Sequence, residues 1–160
     1  MHGSVDWFSD SNGGARFVPS APADHLGFDP VIVTPGTTKY QRTHNEPFRT
    51  VMGEADRAIG KATSFLCVGY GFNDMHIHLK VTERIRQGKP VVILALALTS
   101  AAKKSLENLA TPSFIAIEKG TTDKTSRVYT MASPTGEEIP EPNLWELGTF
   151  LDKYILPARS

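Results

Sequence analysis

Apolar positions along the chain change period several times, and each change marks an element. Val31-Ile32-Val33-Thr34 is a short apolar run closed by Pro35-Gly36, which predicts a buried strand. After Asn45-Glu46-Pro47, a helix start with proline tolerated in the first turn, Phe48, Val51, Met52, Ala55, Ala58, Ile59 and Ala62 recur at helical spacing. The run Phe65-Leu66-Cys67-Val68 predicts a second strand, and Ile77, Val81 and Ile85 form one helical stripe that Gly88 stops. Residues 90–98 are almost unbroken in their apolar character, the mark of a strand buried on both faces of a parallel sheet. Thr99 or Ser100 can cap a helix reaching Ala110, residues 114–117 predict another strand, and residues 127–131 an edge strand. Leu144, Leu147, Leu151, Tyr154 and Ile155 predict a closing amphipathic helix entered through Pro142-Asn143.

Strands alternating with helices imply crossovers of one hand, hence an α/β fold: a mostly parallel sheet with helices on both faces. No G-x-G-x-x-G turn occurs, so the order of elements is incomplete for a nucleotide-binding fold. One domain, 1–160, is expected, with residues 1–30 as an irregular cover segment and 31–160 as the α/β core. Gly, Ser, Asp, Asn and Pro crowd residues 9–30, where Asn12-Gly13-Gly14 is a turn signal and residues 15–18 at most a short extended piece.

Charge changes the picture by exclusion. Lys plus Arg and Asp plus Glu are equal at 17 each, so no overall field draws in a polyanion, and direct nucleic-acid binding is not expected. Cys67 stands alone inside an apolar run, which fits packing in a reducing compartment and leaves no cysteine-based metal site. No apolar stretch reaches the roughly 20 residues that span a bilayer, and the N-terminus lacks the regions of a signal peptide. A cytoplasmic protein without membrane or metal is the expectation.

The stretch richest in chemistry is Gly69-Tyr70-Gly71-Phe72-Asn73-Asp74, which follows a buried strand and opens a helix. Two glycines there let the main chain approach a ligand that any Cβ would block, at a point where amides and the helix dipole converge. Asp74 can cap the helix or accept from a ribose hydroxyl; a plain strand-to-helix turn is the competing reading. His76 and His78, two apart on a helix, point in different directions and make a poor metal pair. His25 and His44 have no partner at ligand spacing, Lys103-Lys104 reads as a solvated helix face, and Trp7 and Trp145 as anchors to the core.

His2-Gly3-Ser4-Val5-Asp6-Trp7, residues 31–35, Lys39-Tyr40, residues 69–77 and Pro90-Val91-Val92-Ile93-Leu94 together resemble the C-terminal portion of the sirtuin-like domains of bacterial anti-phage defence. The resemblance implies a Rossmann-like fold, NAD as substrate, and cleavage of the bond between nicotinamide and ribose. It gives His2 the role of the His-Gly histidine acting on the nicotinamide ribose hydroxyls, for which an imidazole suits neutral pH. It places Gly69, Tyr70, Gly71, Phe72, Asn73 and Asp74 along the ribose and phosphates. The family's Gly-Ala-Gly phosphate loop and Asn-Asp pair precede that histidine and do not occur in these 160 residues, while Ala95 and Ala97 stand where the family has an asparagine. The resemblance therefore implies a domain inactive without its N-terminal half, whose partners are NAD or ADP-ribose, a second copy or that missing half, and a defence-system protein. The alternatives are a non-catalytic nucleotide-sensing or oligomer-assembly module and a generic α/β domain.

Overall fold

In the computed structural model, the described residues are 3–9, 14–17, 29–32, 46–107 and 113–156. The chain divides into two compact units, Met1–Ala58 and Ile59–Ser160. The boundary falls inside a helix.

In the first unit, strand β1 (Gly3–Ser9) lies between β2 (Ala15–Phe17) and β3 (Asp29–Ile32), antiparallel to both. Trp7 pairs with Phe17 and Ser9 with Ala15, while Phe8 lies opposite Pro30 and the register with β3 shifts between Gly3 and Phe8. Where the sequence suggests an irregular cover over residues 1–30, the parts at 3–9, 15–17 and 29–30 are strands, and the rest, apart from Gly14, lies outside the described residues. Pro30, which cannot donate to a ladder, sits on a strand that pairs on one side only among the described residues, where that costs least. Asp29–Ile32 replaces the expected run of 31–34 and joins this small sheet, not a parallel one; Val33 and Thr34 lie outside the described residues.

Helix α1 (Phe48–Lys61) crosses from one unit into the next. Its first turn is held by Glu46, whose carboxylate accepts from Thr50 Oγ1 at 2.7 Å, and by Val51 N–H on the Pro47 carbonyl at 3.0 Å.

The second unit contains a five-stranded sheet in the order β4 (Phe65–Val68), β5 (Val91–Leu94), β6 (Phe114–Lys119), β7 (Ser126–Tyr129), β8 (Glu137–Ile139). The first three strands are parallel, with Phe65, Val91 and Phe114 in one register row, and the last two are antiparallel. Helices α2 (Met75–Arg86) and α3 (Ser100–Glu107) make the two crossovers. This is a mixed α/β, Rossmann-like sheet. Val91, Ile93, Phe114 and Ala116 face Val81 and Ile85 of α2 and Ala102 and Leu106 of α3 in one core. On the opposite face Leu94 and Ile117 are covered by Leu144 and by Phe150 of α4 (Leu147–Phe150), so helices occupy both sides. Each fully buried Ile or Leu of these two layers stabilises the sheet by ~1.5–3 kcal/mol relative to exposure.

Several predicted bounds shorten. β5 ends at Leu94 rather than Leu98, because Leu98 N–H donates to the Glu118 carboxylate at 2.7 Å and turns the chain away from the ladder. The last strand ends at Tyr129, β8 follows unforeseen, and the closing helix passes after Phe150 into a wider turn over Leu151–Ile155. Gly136, at φ 82°, turns the chain from β7 into β8.

Candidate functional site

The C-terminal ends of β4 and β5 lie side by side, and the loops leaving them are tied together. Gly69 N–H donates to the Leu94 carbonyl at 2.8 Å, continuing the parallel ladder one step past β4. Gly69 then takes φ 64°, a conformation that a Cβ penalises, and among the described residues a Cβ placed on it would meet nothing within 4 Å. Its α-carbon therefore faces open space. Gly71 is different: a Cβ there would come within 3.0 Å of Asn73 Nδ2 and 3.3 Å of Thr99 Cγ2. Its carbonyl accepts from Thr99 Oγ1 at 2.7 Å, and the same hydroxyl oxygen accepts from Ala102 N–H at 3.1 Å to cap α3.

Phe72 follows at φ 58°, only 3% exposed, with its ring 4.7 Å from Tyr70 and edge-on to His78 at 5.6 Å. Asn73 is exposed, and the Asp74 carbonyl accepts the first helical bond from His78 N–H at 2.7 Å, so α2 begins as its capping residues predict. The Tyr70 hydroxyl is buried without a hydrogen-bond partner among the described residues. Burial first, then the negative charges of Asp74 and Cys67, push its phenol up to about 12. Cys67, on β4 below the turn, is pushed by burial to about 11, so it is a packed thiol and not a nucleophile.

The six turn residues proposed from sequence thus stand in one continuous strand-end loop. They do not act alike: Gly69 and Asn73 are open to solvent, whereas Phe72 is a core residue and Gly71 is consumed in joining the two loops. His2 lies outside the described residues, as do His25 and His44. Among the described residues no three His, Cys, Asp or Glu side chains gather as metal ligands, and no helix is long and apolar enough to cross a membrane.

A polar network missed by sequence reading braces the next strand end. Glu118, 7% exposed on β6, accepts from Leu98 N–H, from Lys103 Nζ at 3.0 Å and from the Tyr129 hydroxyl, with Lys103 also 5.3 Å above the Tyr129 ring. Burial alone would raise the Glu118 carboxyl, but these three donors outweigh it and hold it below the usual range. Lys103 is thereby removed from the solvated face expected of it, while Lys104 remains exposed. Only the placement of a glutamate at the end of an apolar strand hinted at this network. Trp145 packs on the second core, as an anchor should. No known protein family, curated protein or solved structure matches this chain.

Proposed function

We propose that the chain is the nucleotide-binding part of an NAD-cleaving, sirtuin-like domain of the anti-phage defence type, with the 69–74 turn as the seat of the ribose and phosphates of NAD or ADP-ribose. The observation that carries this reading is Gly69. It is left-handed at the C-terminal end of a parallel strand, with open space over its α-carbon, beside a second strand-end loop and just before the N-terminus of α2. Ligands of open α/β sheets bind outside the carboxyl ends of the strands, where bare backbone and helix N-termini meet anionic groups.

In the reaction, water adds to the anomeric carbon of the nicotinamide ribose, the bond to nicotinamide breaks, and ADP-ribose and a proton are released. His2 is the base proposed to work on the ribose hydroxyls. The remainder of the pocket is proposed to come from the N-terminal half of such a domain or from a second copy, and the setting is proposed to be cytoplasmic. A non-catalytic sensing module is the second reading, favoured by the bond that already occupies the Gly71 carbonyl and by the burial of Phe72.

Gly69→Ala tests the reading, since the added methyl meets no atom of the described residues but stands where a ligand would approach. Left-handed alanine costs about 1–2 kcal/mol, which leaves a folded chain. Calorimetry should show ADP-ribose binding to the natural chain and at least about tenfold weaker binding to the variant. Equal affinity, or no binding to the natural chain, contradicts the proposal. Nicotinamide release by the binding-competent protein separates hydrolase from sensor.

A further inference from the structure

We propose that the recess formed by α3, β6 and β7 is a binding site for a small carboxylate that carries a compact apolar body, of about benzoate size. α3 contributes Lys103 and Leu106, β6 Phe114, β7 Arg127 and Tyr129, and the turn into β8 Thr135, around a cavity of about 260 Å³. That volume lies just under the roughly 300 Å³ at which sites for drug-sized ligands begin, so the occupant is smaller than those. Leu106, Phe114 and Tyr129 are buried and give the recess its apolar walls. None of residues 69–74 lines it, so it is distinct from the strand-end turn.

A carboxylate is selected because, among the described residues, the lining holds two cations and no acidic side chain. Lys103 Nζ lies 3.0 Å from Glu118 and Arg127 Nη2 lies 3.2 Å from Glu138, yet neither glutamate lines the cavity. The glutamates thus fix where the cations stand without offering an acceptor to the recess. An ammonium has three donors and a guanidinium five, so one ion pair exhausts neither, and the guanidinium fork matches a planar carboxylate. The Tyr129 hydroxyl is already engaged by Glu118, so its contribution is the ring. The wall is also preformed. A Cβ on Gly136 would come within 2.6 Å of the Tyr129 ring and 2.9 Å of Arg127 Cδ, so the backbone of the turn is packed on both side chains. Lys103 sits 5.3 Å above the same ring, and the backbones of Thr130 and Ser133 exchange hydrogen bonds of 3.2 and 3.1 Å within the turn. Donors held in place beside apolar walls lower the ordering cost of binding a small ligand. Each cation has a counter-charge, so discrimination comes from short hydrogen bonds inside the recess rather than from long-range attraction.

The test is an NMR titration of the 160-residue chain with benzoate, benzamide and acetate in parallel, at equal ionic strength. Benzoate should give saturable amide shifts at Leu106, Phe114 and Thr135, half-complete at about 5 mM or below, an affinity in keeping with so few atoms. Benzamide keeps the ring and loses the charge, acetate keeps the charge and loses the ring, and each should bind at least about fivefold more weakly. Thr135→Trp, at an exposed position of the turn, should fill the mouth and weaken benzoate at least about tenfold. Arg127→Lys keeps a cation beside Glu138 but loses the fork, and should weaken benzoate at least about threefold. Benzamide binding as tightly as benzoate overturns the proposal, as does benzoate affinity unchanged in either variant. Shifts that fail to saturate by about 50 mM, or that are confined to residues 69–74, overturn it too. ADP-ribose binding at the strand-end turn is a separate outcome, which Thr135→Trp should leave unchanged.

Discussion

Gly69 and Phe72 both hold left-handed backbone, for different physical reasons. At Gly69 the missing side chain makes the conformation nearly free and leaves the backbone approachable. At Phe72 the same region costs of order 1–3 kcal/mol, and burying the ring offsets it by ~1.5–3 kcal/mol. The glycine is thus the residue free to serve a ligand, and the phenylalanine is the one that fixes the turn. Cys67 gives a residue-scale test of how dry the base of this turn is. Its thiol rises from 9.0 to about 11 by burial, so thiolate is about 100-fold scarcer than in the unfolded chain below pH 9. At about pH 8 a disulfide reagent should modify native protein about 100-fold more slowly than protein in urea. Equal rates would mean that the strand end is wet.

At the scale of elements, periodicity made the parallel core legible. Apolar runs marked β4, β5 and β6, and stripes such as Ile77, Val81 and Ile85 marked the crossover helices. These signals arise from burial itself and are local. Thr99 was legible as a helix cap, but its bond to the Gly71 carbonyl joins residues 28 apart, and spacing carries no trace of that. The sheet of β1, β2 and β3 was concealed by a glycine- and proline-rich composition that looks like loop, although Pro30 lies within a strand. Of the candidate site, the turn could be read from its glycines, whereas the division of labour within it needed backbone angles. The Glu118 network supplies the prediction at this scale. Its folded carboxyl lies below the ordinary 4.5, so the unfolded chain takes up the proton first as the pH falls. Stability from this group is therefore complete above about pH 4.5 and drains away below it. Glu118→Gln should cost about 1–3 kcal/mol near neutrality and flatten the acid limb of urea-unfolding stability below about pH 4.5. An unchanged acid limb would mean the carboxylate does not hold the Leu98 loop to β6.

At the scale of the whole molecule, the sheet of the second unit is covered unequally. Leu94 and Ile117 are sealed by the C-terminal helix, yet Leu66, Val68 and Ile115 on the same face remain 50%, 48% and 42% exposed. Among the described residues, β4 also pairs on one side only. An apolar face bordering an unpaired strand edge favours association. Light scattering should therefore show self-association that rises with concentration, and Leu66→Lys with Val68→Lys should suppress it without lowering the melting temperature. A strictly monomeric natural chain would contradict this.

The central claim concerns the open strand end, and one measurement addresses it most directly: the backbone amide spectrum of the chain as ADP-ribose is added. The account predicts saturable shifts at Gly69, Tyr70, Gly71 and Asn73, extending to the first turn of α2 and needing at least about tenfold more ligand in Gly69→Ala. Amides of that loop that stay unmoved at saturating ADP-ribose would contradict it and leave the turn as no more than a connection between a strand and a helix.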